Sequence, residues 1–494
     1  MSAQHRGHDS RLEIGVVVLR QAGAIAWRLL VAGSILLLTL PVPAGAHGLG
    51  QRYELPVPLS IYLTGAGLAV GVSFVLMAWF MRRGVSAAGR TVEPDGLGAS
   101  RVPIGPVLSW TIRLSALTSF AVLVAIGLFG PQQPFKNIMP IAVWVLWWVG
   151  FAYLAAFVGN FWPLVNPWLT VYDLVRWGRP APRPVTVYPD RWGIAPAVLL
   201  LAGFVAMELA WTKSEVPRAL ALAMLGYSAL TWTGMAVFGR DQWLARGEVF
   251  SVYFGVLGRF APLTVRSGPD RLVLGRPFAI GLLVKRPAPP TMTVFVLLML
   301  AAVTFDGLIE TPLWPAFLHA LHDRVGILPA EPVAVVAWLA FAALFALLYA
   351  GVGRAMAWSA GEVSARPEVG GWFVLTLVPI GIAYHLAHYH SLLLVAGQYA
   401  IPLLSDPFGL GWDLFGTTLY RVDLSVVNAA SIWYLSVGAI VIGHVLAVYL
   451  AHVMALRVYA NPRTALRSQL PMLVLMVLYT MSSLWILSQP VIKT

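Results

Sequence analysis

The sequence contains no cysteine and carries little charge. Without thiols there can be no disulfide, no thiolate metal site, no iron–sulfur cluster and no cysteine nucleophile. Charged residues make up 11% of the 494 positions, against about 25% in an ordinary soluble domain. Hydrophobic residues make up 59%, and mean hydropathy is +0.77, so water is not the main solvent. Formal charge is +12, yet Lys and Arg fall in short runs between apolar stretches, as loop charges that orient a membrane protein do. No nucleic-acid partner is expected. What is abundant fits a bilayer: 20 Trp and 16 Tyr suit a chain with two lipid–water interfaces, where amphipathic rings prefer to sit.

Arg6, Arg11, Arg20 and Arg28 precede the apolar run Leu29 to Leu40 and then Pro41-Val42-Pro43-Ala44-Gly45-Ala46. A charged region, a short hydrophobic core and an A-x-A site are the three parts of a secretory signal. Residues 1–46 are therefore read as a signal peptide, with an uncleaved first helix as the alternative, and the mature chain would begin at His47.

Stretches long enough to cross about 30 Å of hydrocarbon lie near 57–81, 107–129, 138–158, 194–212, 219–238, 290–311, 332–353, 371–396, 427–455 and 470–489. All should be helices, because lipid offers no partner to open backbone groups. The expected fold is an all-α polytopic bundle of about ten transmembrane helices, a single domain over 47–494. With the mature N-terminus outside, one set of alternating loops holds 22 Lys and Arg and the other holds 7. That asymmetry places the chain in a bacterial inner membrane with its mature N-terminus periplasmic. No tandem repeat or inverted half-to-half symmetry is evident.

Two connections stand apart. Asn160-Phe161-Trp162-Pro163-Leu164-Val165-Asn166-Pro167-Trp168 is apolar but holds two Pro and two Asn, so it reads as an interfacial or re-entrant turn. The cytoplasmic insertion 239–289 is amphipathic around Val249 to Leu257 and β-like around Arg271 to Leu274. It predicts a helix lying on the membrane, then a hairpin, with basic residues facing anionic lipid.

Ionisable groups inside a membrane are costly and mark function by default. The densest set is Tyr384-His385-Leu386-Ala387-His388-Tyr389-His390, in the outer half of its span. Helical spacing puts His385 and His388 on one face and turns His390 elsewhere. His444 and His452 follow on the next span, Asp306 and Glu310 share a face near the outer end of theirs, and Glu208 lies in the outer half of another. Imidazole and carboxylate together suit a divalent metal such as zinc, iron, copper or manganese. A centre near the outer leaflet would combine Asp306, Glu310, His385, His388 and His444, flanked by Tyr384, Tyr389, His390 and Trp314 as substrate-binding groups. The α-amine and imidazole of His47 could chelate as a second possibility. His319, His322 and Asp323 read as a solvated helix face, and Asp406, Asp413 and Asp423 as residues of an outer loop over a cavity mouth. Few cations line that mouth, which favours neutral or cationic ligands.

Ala46-His47-Gly48-Leu49-Gly50-Gln51-Arg52-Tyr53-Glu54-Leu55-Pro56-Val57-Pro58, Val165-Asn166-Pro167-Trp168, Gly247-Glu248-Val249-Phe250-Ser251-Val252-Tyr253-Phe254-Gly255 and Thr304-Phe305-Asp306-Gly307-Leu308-Ile309-Glu310-Thr311 together resemble a family of bacterial integral membrane proteins named fenitrothion hydrolases. The resemblance runs over most of the chain after the leader. It implies hydrolysis of a neutral aryl dialkyl phosphorothioate to a nitrophenol and a dialkyl thiophosphate. Such a substrate is apolar and would enter from lipid, and a metal would lower the pKa of a bound water toward about 7. Asp306 or Glu310 would then be a ligand or the general base. Two other classes fit the same residues: a transporter of a metal or small solute using them as a relay, and a haem-binding electron-transfer or assembly protein with axial His ligands.

Overall fold

The computed structural model describes residues 54–81, 101–176, 183–266, 272–361 and 368–491. The expected signal peptide and His47 lie outside the described residues. Among these residues, ten helices are long and apolar enough to cross a membrane, and the chain is an all-α polytopic membrane bundle. The spans are α1 (Leu59–Met81), α2 (Pro106–Phe129), α3 (Ile138–Val158), α4 (Ala195–Leu209) and α5 (Pro217–Phe238). They continue with α6 (Pro290–Ile309), α7 (Ala330–Ser359), α8 (Val378–Ala396), α9 (Ala429–Val458) and α10 (Pro462–Val491). Each corresponds to one apolar stretch, because a segment in lipid must close its own backbone hydrogen bonds. Proline stands in the first turn of α2, α4, α5, α6 and α8, where its missing N–H is no loss.

A small sheet fixes which loops share an end. Strands β1 (Arg101–Pro103), β2 (Gly159–Asn160), β3 (Leu263–Arg266) and β4 (Leu272–Gly275) run in the order β1-β4-β3-β2. The expected hairpin is β3–β4, with Thr264 opposite Leu274. These strands come from the α1–α2, α3–α4 and α5–α6 connections, so their pairing requires those three loops to meet at one end, as alternating spans demand. At the same end Asp173 bridges Arg113 at 2.5 Å and Arg240 at 3.0 Å, and the Arg113 guanidinium lies 4.3 Å from the Trp110 ring. A carboxylate between two guanidiniums joins α2 to the connections that follow α3 and α5.

The insertion departs from expectation in its first half. Val249–Gly258 does not lie on the surface: eight of its ten residues are buried, against α3, α4 and α8. The reason is Glu248, whose carboxylate is fully buried and caps the helix by accepting from Phe250 N at 2.9 Å and Ser251 N at 2.8 Å. Its polar positions are satisfied internally, so the helix has no need of water. The Asn160 to Trp168 segment also turns inward, forming short helices Trp162–Val165 and Pro167–Val175 with Trp162 and Trp168 buried. Trp147, Trp162, Phe250 and Phe254 pack edge to face or tilted, apart from the stacked Phe250–Phe254 pair, with centroids 4.5–6.4 Å apart, the range in which aromatic pairs attract.

Spans α8 and α9 meet through a glycine. A Cβ added at Gly443 would stand 2.3 Å from Ala383 Cβ and 2.9 Å from the Pro379 carbonyl. Small residues let membrane helices approach where no hydrophobic drive exists between them. Gly443→Leu is therefore expected to lower stability by about 1–3 kcal/mol, read as the thermal unfolding midpoint in detergent. Gly438→Leu on the same helix, where an added Cβ meets nothing within 4 Å, should leave the midpoint in place. Equal midpoints for the two variants would refute the close contact.

Candidate functional site

A group of titratable side chains within the spans lies toward the end opposite the sheet. Asp306 lies in the last turn of α6 and Glu208 in the last turn of α4, both pointing away from the sheet-end loops in chain direction. Each is an acid in an apolar helix, tolerable only with partners. Asp306 finds two on consecutive residues of α8: His388 Nε2 lies 3.0 Å from its Oδ2, and the Tyr389 hydroxyl donates to the same oxygen. The His388 and Asp306 side chains are 11% and 15% exposed, enclosed but not sealed. An ionised carboxylate can only accept, so Nε2 carries the hydrogen, and in the neutral imidazole Nδ1 presents its lone pair.

Gly307, next to Asp306, is a close contact. A Cβ there would stand 2.7 Å from Ile486 Cγ2, 3.2 Å from the Tyr384 hydroxyl and 3.8 Å from His388 Nδ1. Any side chain would push α10 away from α6 beside His388. The Tyr384 hydroxyl is buried without a hydrogen-bond partner among the described residues, and its ring stacks at 6.4 Å on Tyr479. Tyr479 in turn shares a 2.6 Å hydrogen bond with Thr304.

His385 sits one turn below His388, its ring 4.7 Å from Tyr389 and 5.4 Å from Tyr153. Both ring nitrogens are buried with no hydrogen-bond partner among the described residues. The ring borders a cavity of about 20 Å³ together with Tyr253 and Leu257, enough for one water. Glu208 stands in the last turn of α4, which packs against α6. Trp148 closes that side, stacked at 4.7 Å on Tyr253 and 4.7 Å from Phe204.

Beyond Trp148 lies a cavity of about 490 Å³ between α2, α3, α4 and α5, bounded by Trp147, Trp168, Phe204, Met207, Tyr227 and Phe250 among others. Its size and aromatic lining suit an apolar molecule of drug-like dimensions. Span α3 borders both it and the polar site, and over Ile141–Phe151 it is wound as a π-helix, a form frequent at functional sites.

The expected residues divide accordingly. Asp306, His388 and Tyr389 form one hydrogen-bonded group; Glu310, one turn beyond Asp306, stands exposed at its edge. His385 and Tyr384 flank the group. His390 turns away, its Nδ1 on the Leu386 carbonyl at 3.0 Å. His444 joins neither carboxylate in a hydrogen bond: Nδ1 binds the Ile440 carbonyl at 2.8 Å, and its ring lies 5.8 Å from Tyr479. Trp314 packs on Phe305 and Phe317. His452 pairs with Gln469 at 3.2 Å, far along α9 from His444. Helix Leu313–Val325 has no buried residue, so His319, His322 and Asp323 form the solvated face expected of them. In the loop after α8, Asp406 accepts from Leu410 N and Gly411 N, both at 2.8 Å, and Asp423 from Ser425 N at 2.8 Å. These carboxylates hold turns together.

A metal finds no ready donor set here. Among the described residues no three His, Asp or Glu side chains converge on one point, and the His388 nitrogen nearest a carboxylate is hydrogen-bonded to it. Sequence reasoning missed Trp148, Tyr153 and Tyr253, which carry no membrane-placed charge to draw attention. Comparison with protein-family models, curated proteins and solved structures gave no match.

Proposed function

We propose that the protein is a membrane-embedded hydrolase of neutral apolar esters, of the aryl dialkyl phosphorothioate class, in which His388 is the general base and Asp306 orients it. The observation that carries this reading is the Asp306–His388 hydrogen bond inside the bundle, between side chains that are 15% and 11% exposed and so within reach of water. A carboxylate that fixes a histidine tautomer makes the other nitrogen a base for water. Water that reaches His388 gives its proton to Nδ1 and its oxygen to phosphorus; the phosphorus–aryloxy bond breaks and the electron pair leaves on the nitrophenolate. The proton on His388, stabilised by Asp306, then passes to solvent past exposed Glu310. The 490 Å³ aromatic cavity supplies an apolar place for such a molecule within the bundle. The resemblance noted in the sequence points to the same chemistry, and no step is routed through a metal.

Membranes containing the protein are expected to release 3-methyl-4-nitrophenol from fenitrothion, read by its absorbance. Release no greater than from empty membranes, with folded protein shown present, rejects the enzyme. A chelator arm tests the metal separately: unchanged rates support the metal-free dyad, and abolished rates that return with zinc or manganese overturn it.

A second reading, proton- or cation-coupled transport of a small solute, is favoured by one observation. Glu208 and Asp306 lie in the last turns of two spans that pack together, and carboxylates inside a membrane attract a cation. Uptake into proteoliposomes of a solute that emerges chemically unchanged would support it.

A further inference from the structure

At the sheet end, remote in chain direction from the polar site, lies a cleft of about 480 Å³. Ten residues line it: three are cationic (Arg259, Arg276 and Lys285), none is acidic, and three are glycines. Arg259 follows the buried helix Val249–Gly258, and Arg276 follows β4. The guanidiniums are held by backbone. Arg276 donates from Nε to the Ala261 carbonyl at 3.1 Å and from Nη2 to the Gly258 carbonyl. Arg259 donates from Nη1 to the Gly281 carbonyl at 3.3 Å. Both forks are thereby positioned before any ligand arrives, which lowers the ordering cost of binding.

Arg259 is largely buried, and burial pulls its guanidinium below the ordinary value with no opposing carboxylate among the described residues. Removing a cation from water without an anion beside it is costly. The lining also supplies Asn160 and Thr264 as neutral polar groups, and at Gly255 an added Cβ would meet nothing within 4 Å, so a ligand can approach backbone there. Guanidinium forks match phosphate oxygens two at a time. The cleft belongs to the connections that hold most of the basic residues, the side the charge asymmetry assigns to the cytoplasm, where anionic headgroups are met.

We propose that the cleft formed by Arg259, Arg276 and Lys285 binds a phosphate-bearing anion, supplied either by an anionic lipid headgroup or by free phosphate. The site is independent of the hydrolytic reading.

The test uses the full-length protein in neutral detergent and three probes: dihexanoyl phosphatidylglycerol, dihexanoyl phosphatidylcholine and inorganic phosphate. Saturable binding is measured by native mass spectrometry and thermophoresis. Phosphatidylglycerol binding that phosphatidylcholine does not reproduce, weakened about tenfold by Arg259→Gln and less by exposed Lys285→Gln, supports the proposal with a lipid as source. Comparable affinity for inorganic phosphate, with the same losses, supports it with a soluble source. Arg276 also holds two carbonyls, so if Arg276→Gln fails to fold, the Arg259 and Lys285 variants decide. Equal affinity for the two lipids without phosphate binding, or affinities unchanged in Arg259→Gln and Lys285→Gln, overturns the site.

Discussion

Asp306→Asn is expected to reduce fenitrothion hydrolysis by on the order of 10³–10⁴-fold while leaving the amount of folded protein in the membrane unchanged. The two side chains have the same shape, so packing on α8 survives. What changes is polarity: an amide can turn its NH₂ toward His388 Nε2, which then accepts, and the hydrogen moves to Nδ1. The nitrogen that served as base becomes a donor and can no longer take a proton from water. The Tyr389 hydroxyl, which also donates to Asp306, supports the carboxylate and does not replace it. Tyr389→Phe should therefore cost far less, about tenfold, in keeping with the loss of one hydrogen bond to a charged acceptor. Initial rates normalised to protein by quantitative immunoblot separate these outcomes. An Asp306→Asn rate within a factor of ten of the parent would remove the dyad from the chemistry. Equal losses in both variants would point instead to a packing role for the whole cluster.

The spans were legible because crossing a bilayer imposes a length and a polarity on every segment, and the ten helices follow the ten apolar stretches to within a few residues, apart from longer C-terminal ends on α7 and on the helical run through α8, and a longer N-terminal end on α10. The β3–β4 hairpin was legible from the β-like run around Arg271 to Leu274. The site was legible only in part. Asp306 and His388 announce themselves as ionisable residues in apolar helices, yet their meeting is a contact 82 residues apart in sequence. Helical periodicity gives each residue a face and leaves open which faces meet. The grouping of His444 with the carboxylates followed from its nearness in span order, whereas the packing of α9 directs it toward Tyr479 on α10. Tyr253 was hidden for another reason: its helix has the composition of a surface-lying segment, and only the satisfaction of Glu248 inside the fold allows it to be buried.

That carboxylate carries the second large effect: Glu248→Ala is expected to destabilise the protein by about 3–5 kcal/mol, enough to deplete it from the membrane. Glu248 is fully buried and gathers donors from three parts of the chain. Besides Phe250 N and Ser251 N on its own helix, it accepts from Trp162 Nε1 at 3.0 Å, from Asn166 Nδ2 at 3.4 Å and from the Tyr227 hydroxyl at 2.6 Å. Alanine would leave several of these buried without an acceptor, and an orphaned buried donor costs its full desolvation. It would also remove a negative charge from the N-terminus of the helix, where the backbone dipole favours one. Because the connections after α3 and after α5 are tied here to α5 itself, the loss spreads beyond one helix and should draw Trp162, Trp168 and Phe250 out of register. Glu248→Gln keeps an acceptor oxygen but presents NH₂ to a ring of donors, so an intermediate loss is expected. Thermal unfolding in detergent, followed by tryptophan emission, measures the order Glu248, then Gln, then Ala. A Glu248→Ala midpoint equal to the parent would mean that water reaches these donors, and that Val249–Gly258 is not buried as described.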